Sequence, residues 1–168
     1  MIYRLAPMSP LILALTVVLL AIPVLLVWVE LIIVGLALAI LYLWVWLWMR
    51  PRHFAVNEDA LVIAWPLRSR RIENGELRSV RIVSAKEFRR TYGFAMRIGV
   101  GGLWGGFGLL WTRTQSFDMY VSRTDGLVII ERDGGRSLLI TPERPEEFVR
   151  TASGLFAASR PAPTESAQ

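Results

Sequence analysis

Two long stretches without a charged side chain constrain this chain more than any other feature. Leu5 to Val29 gives 25 residues with no Asp, Glu, Lys or Arg, Glu30 interrupts, and Leu31 to Met49 gives another 19. A hydrocarbon layer about 30 Å thick is crossed by roughly 20 apolar helical residues, so each run is long enough to span it. A cleaved signal peptide would show an apolar core of about 7–15 residues and then a small-residue cleavage site. The first run is longer than that and leads into a second. One long helix with an interfacial segment is the alternative. A transmembrane hairpin, with spans over 8–28 and 31–49 inside an anchor of residues 1–52, is the reading that uses both runs.

Pro23 lies inside the first span, where a kink is expected; membrane helices re-satisfy the freed carbonyl locally. Glu30 is expected at the apex of a very short turn. Tyr42, Trp44, Trp46 and Trp48 crowd the end of the second span. Such rings prefer the half-wet interface, so Trp44, Trp46 and Trp48, with Arg50 and Arg52, read as membrane-interface anchors. Arg4 precedes the first span, Arg50 and Arg52 follow the second, and the loop between has no Lys or Arg. The positive-inside rule then makes this a multi-pass protein of the plasma (inner) membrane with both termini in the cytoplasm.

Composition agrees: 54% of residues are hydrophobic, and the excess falls in the first third. Cysteine is absent, which excludes disulfides and thiolate chemistry without fixing a compartment.

Residues 53–157 read as a mainly β domain. Apolar or alternating runs at 53–57, 60–65, 68–72, 77–83, 117–122, 127–131 and 137–141 are separated by turn signals such as Glu73-Asn74-Gly75 and Asp133-Gly134-Gly135. Short strands at such spacing indicate a sandwich or barrel. Pro145 with Glu146 and Glu147 starts a helix, and Phe148, Ala152, Leu155 and Phe156 fall on one face of it, which places a C-terminal helix over 144–157. Residues 158–168 are Pro-, Ser- and Ala-rich and are expected to be a disordered tail.

Several stretches resemble the bacterial pleckstrin-homology (PH) domain proteins that carry two N-terminal membrane helices. They are Phe54-Ala55-Val56 through Trp65-Pro66, Tyr92-Gly93, Gly105-Gly106-Phe107-Gly108, Tyr120-Val121-Ser122, and Ile140-Thr141-Pro142 through Phe148. The resemblance covers most of the chain and implies a PH-like seven-strand barrel or sandwich closed by one C-terminal helix. It implies little biochemistry, because the fold hosts lipid binding, protein binding and scaffolding.

The Gly-rich stretch Ile98–Gly108 lacks the Gly-Lys-Ser/Thr of a phosphate loop, and its G-x-G is followed by Trp104 where the dinucleotide pattern needs Gly. Nucleotide binding is therefore not expected, nor any other cofactor. The reading adopted is a flexible loop plus a close-packed, Gly-rich strand near the membrane; the alternative is a dip into the interface through Trp104, Phe107 and Trp111.

Charge is uneven. Arg68 to Arg97 holds nine basic and three acidic residues, whereas Ile98 to the end holds seven basic and eight acidic. Beside an anionic leaflet each such cation is worth about 1 kcal/mol. Arg68, Arg70, Arg71, Arg89 and Arg90 are the candidate contacts with anionic lipid; an ordinary solvated strand face is the plainer reading. Nucleic acid is not expected, because no recognition module is visible. His53 is the only histidine, carboxylates sit in turns and at a helix start, and no set of zinc ligands exists, so neither catalysis nor a metal site is expected. Two readings of function remain. The first is a non-catalytic binding or scaffolding module that docks a protein partner or a second copy. The alternative is a domain that contacts anionic headgroups through residues 68–97.

Overall fold

The computed structural model describes residues 1–158; the tail expected over 158–168 lies, apart from Ala158, outside the described residues. The first helix, α1 (Pro10–Trp28), starts from an N-cap Ser9 whose hydroxyl accepts from the Ile12 N–H at 3.4 Å, with Pro10 in the first turn. It ends where Glu30 takes a left-handed φ of 66°, and α2 (Ile32–Trp48) runs back beside it. The crossing is close. A Cβ on Gly35 would stand 2.8 Å from the Pro23 carbonyl oxygen and from a Val27 methyl, so only glycine lets the two backbones meet. α1 is long and apolar enough to cross a membrane, whereas α2, with 17 residues, is shorter. Most side chains of both helices are exposed.

The β part contains ten strands among the described residues, in two sheets. β1 (Ile2–Arg4), β2 (His53–Val56), β3 (Ala60–Ala64) and β4 (Ser69–Glu73) form one antiparallel sheet in that order. β5 (Leu77–Val83), β6 (Ala95–Gly101), β7 (Gly106–Thr112), β8 (Ser116–Val121), β9 (Leu127–Arg132) and β10 (Ser137–Ile140) form the other, in the order β5-β9-β10-β8-β7-β6. β10 pairs parallel to β8, and the remaining neighbours are antiparallel.

The expected seven-strand barrel or sandwich is here ten strands in two sheets, and no closed barrel forms among the described residues. Three physical reasons account for the difference. The Gly-rich stretch pairs with itself as the β6–β7 hairpin. The residues ahead of the first helix add β1 to the edge of β2, in register Tyr3↔Phe54, although the sequence reading gave them to the anchor. Finally, β4 and β5 belong to separate sheets, joined through a single turn at Asn74–Glu76.

The space between the sheets is filled by Phe54, Ile63 and Ile72 from the first and by Phe107, Val128, Ile130 and Leu138 from the second. α4 (Pro145–Ala158) closes one end: Phe148 is fully buried and meets Tyr3 edge-to-face at 5.3 Å. The far face of the six-stranded sheet is covered by α3 (Ala85–Tyr92), a helix the sequence reading left out. Ser84 caps it by accepting from the Glu87 N–H at 3.1 Å, and Gly93 ends it with φ 70°. Phe88 and Tyr92 of α3 pack on Phe117, with ring centroids 4.9–5.4 Å apart.

Candidate functional site

The five arginines singled out for lipid contact stand in separate places. The Arg68 guanidinium lies over the Trp65 ring at 4.4 Å and donates to the Trp48 carbonyl at 3.1 Å. With Trp65 Nε1 donating to the Met49 carbonyl at 3.2 Å, it fastens the foot of α2 to the β3–β4 turn. Strand alternation turns Arg70 to the same face as the buried Ile72, where it donates to Asp118 Oδ2 at 2.7 Å while Arg136 takes Oδ1 at 3.2 Å. Burial works against the Arg70 charge, but the hydrogen bond and charge of Asp118 outweigh it and raise its pKa. Burial also raises the Tyr120 phenol, and Asp118 adds to the shift. Arg71 faces Asp59 at 3.7 Å, both exposed. Arg89 and Arg90 ride on α3, across the other sheet. The structure does not bring these five together.

What it does gather is the set of cations flanking the two helices. Arg4 on β1 sits directly opposite His53 on β2. The Leu5 N–H donates to the Arg52 carbonyl at 3.3 Å, and the chain turns at the buried Pro51. Arg4, Arg50, Arg52 and His53 therefore share the wall of one cavity of about 630 Å³ with Trp46 of α2. No carboxylate lines it. Arg50 is half-buried, its Nε has no hydrogen-bond partner, and burial lowers its pKa. Of the expected anchors, Trp46, Arg50 and Arg52 thus meet here, whereas Trp44 and Trp48 turn exposed rings elsewhere.

The Gly-rich hairpin reaches the helices. Its tip, Gly102 to Gly105, closes with a 2.9 Å backbone bond and lies against α1. The Thr16 hydroxyl accepts from the Trp104 N–H at 2.9 Å; it shares its own proton between the Ile12 carbonyl at 2.7 Å and the Gly102 carbonyl at 3.0 Å. Trp104, at φ 58°, lines an apolar groove of about 360 Å³ together with Leu20, Pro23, Leu43 and Trp46. Phe107 belongs to the core instead, and Trp111 is exposed. Along β6, the edge strand, Met96 and Ile98 are exposed, with Trp111 paired to Met96 from β7 and Phe94 just ahead.

A family model for the bacterial PH domain matches residues 52–155, well over half of the chain. The chain belongs to the bacterial PH domain family. Domains of this family are generally non-catalytic binding modules. No curated protein and no solved structure matches the chain. Among the described residues no three His, Cys, Asp or Glu stand close enough to hold a metal ion.

The family match starts at Arg52, so β1 and both helices lie outside it, yet they are fastened to the PH domain. Ser122, fully buried on leaving β8, donates from its hydroxyl to the Ala6 carbonyl at 2.6 Å. The Ala6 N–H donates to the Thr141 carbonyl at 2.9 Å, and the Ser9 N–H donates to the Ser122 carbonyl at 3.2 Å. Sequence reasoning missed Thr16, Ser122 and the convergence of Arg4 with Arg50 and Arg52. Thr16 had one signal: with Ser9 it is one of only two hydroxyl residues in the first uncharged run.

Proposed function

We propose that the chain is a membrane-anchored, non-catalytic binding module. α1 and α2 cross the plasma membrane as a hairpin, both termini are cytoplasmic, and the PH domain stands at the inner face, where it docks a protein partner. The apolar length of the two runs supports the span, and Arg4, Arg50 and Arg52 around a loop without Lys or Arg support the orientation.

The observation that carries the docking is β6. It has a strand neighbour on one side only, and it exposes Met96 and Ile98 beside Trp111. An open edge with apolar side chains is a template for an added strand, with backbone bonds giving affinity and the side chains giving selectivity. The end of β6 leads into the tip held on α1, so the docked segment is an extended apolar stretch of a protein in the same membrane. Headgroup contact through residues 68–97 is the weaker reading, because its five arginines stand in separate layers.

A photoreactive residue in place of Ile98, in the full chain in its native membrane, tests this. The expected result is a discrete protein adduct that disappears when Met96→Arg is added. Equal adducts from a probe at Asp125, an exposed turn residue on another loop, overturn the edge as the docking surface, and so does labelling of lipid alone.

A further inference from the structure

We propose that the cavity walled by Arg4, Arg50, Arg52 and His53 binds a phosphate anion, and that the bilayer supplies it as the headgroup of an anionic phospholipid. The choice of lipid over soluble phosphate rests on the membrane reading above; the site itself does not.

The first argument is charge without compensation. Eight other arginines, Arg70 and Arg132 among them, have a carboxylate within ion-pair distance. Arg4, Arg50 and Arg52 have no hydrogen-bond or ion-pair partner for their side chains among the described residues, and their cavity has no acidic wall. Three arginines and a histidine lining one concavity with no acid among them invite an anion. Glu143, whose backbone N–H donates to the Arg4 carbonyl at 2.9 Å, makes no ion pair with Arg4.

The second argument is the half-buried Arg50. Its Nε is buried with no acceptor and burial disfavours its charge, a cost that an anion beside the guanidinium offsets. Phosphate is such an anion, and arginine's planar fork matches it two bonds at a time. The cavity, at about 630 Å³, is wide enough for a headgroup and not only a bare ion.

The third argument gives the source. Trp46 lines this cavity and also the apolar groove of about 360 Å³ beside Pro23, Leu43 and Trp104. One wall thus borders a cationic space and an apolar one. That is the division a phospholipid makes between its head and its chains, at the depth where tryptophan rings collect.

The test uses the full chain in mild detergent, with native mass spectrometry counting bound molecules of phosphatidylglycerol, phosphatidylcholine or glycerol 3-phosphate. The expected result is one phosphatidylglycerol retained where phosphatidylcholine is not. Arg4→Gln with Arg52→Gln, both at exposed side chains, should weaken retention about tenfold. Arg89→Gln with Arg90→Gln should leave it unchanged. Arg4→Lys with Arg52→Lys keeps the charge but loses the fork and should retain less than the native chain. A circular dichroism melt confirms that each variant is folded. Equal retention by the native chain and the Arg4→Gln/Arg52→Gln variant overturns the site. Glycerol 3-phosphate that binds as tightly as the lipid and displaces it overturns the lipid source and keeps the phosphate chemistry. Carbonate extraction of membranes separates the two readings: a chain that is washed off, yet still holds phosphate through these arginines, loses the span and keeps the site.

Discussion

Arg132 on β9 carries the least exposed guanidinium of the ion pairs, 7% exposed, and it donates a short hydrogen bond to Glu76 in the turn between the sheets. Its Nε is buried without a partner, so Glu76 supplies much of what stabilises the charge there. The bond from Arg132 leads the effects that hold the Glu76 carboxyl below the usual range; burial opposes it, and the Arg132 charge adds to it. A depressed native pKa contributes stability that is present above the unfolded glutamate value and is lost as pH falls through the native one. Glu76 is 40% exposed, so water screens the pair, and Glu76→Gln should cost about 1 kcal/mol at neutral pH. The gap between native chain and variant in chemical-denaturation midpoints should close as pH falls through the carboxylate range; a gap independent of pH would sink the assignment. None of this was legible in the sequence, where Glu76 and Arg132 are 56 positions apart. The same holds for Thr16: its oddity in an apolar run was visible, but its partners Gly102 and Trp104 lie more than 80 residues on.

At the scale of elements, legibility followed side-chain alternation. Ala60–Ala64 and Leu127–Arg132 hold compact apolar runs and could be read directly, and Leu77–Val83 was legible from its interleaved apolar and basic residues although it buries only Leu77 and Val83. The segment between β5 and β8 could not. α3 shows only Phe88 and Tyr92 as large apolar residues, a short stripe, although Ser84 with Glu87 is a cap signature. β6 and β7 were legible only as a loop and one Gly-rich strand, because glycine is depleted in strands, but here glycine is what lets two strands pair. Gly99 and Gly108 are partners across the hairpin, at φ 143° and 126°. A Cβ on Gly99 would stand 2.3 Å from the Phe107 carbonyl oxygen, and one on Gly108 would stand 2.5 Å from that of Ile98. Either alanine is strained in backbone and blocked in space, so Gly99→Ala or Gly108→Ala should destabilise the chain by roughly 2 kcal/mol or more. Gly75, with nothing within 4 Å of an added Cβ, should accept alanine at a cost below about 0.5 kcal/mol. Urea midpoints of the three variants check the contrast; equal effects would mean that the hairpin does not pair in this register.

For the whole molecule, the sequence suggests an anchor followed by a domain, with the border near residue 52, and the family match begins at the same place. The structure crosses that border in four places. β1 completes the edge of β2 and sends Tyr3, 2% exposed, against Phe148, where its hydroxyl lies 2.8 Å from that of Thr151 on α4. Ala6 is held by Ser122 and Thr141, and Thr16 holds the hairpin tip. Arg68 and Trp65 bind the C-terminal end of α2. A three-residue strand is too short to announce itself, and its Tyr-Arg ending reads as the positive flank of a span, so a fold that returns to its own beginning stays hidden in the sequence. The consequence is energetic. Without residues 1–6 the β2 edge is open, and the fully buried Phe148 loses the Tyr3 ring that meets it edge-to-face. Tyr3→Ala should cost about 3–5 kcal/mol, as for other large aromatic truncations in cores. A fragment of residues 53–158 should unfold at lower temperature and with less cooperativity than the full chain, and adding residues 1–9 back through a flexible linker should restore part of the loss. Circular dichroism melts of the three proteins decide it. A fragment that melts as sharply and as high as the full chain would mean that β1 only decorates the domain, and that the helices hang from it by an ordinary tether.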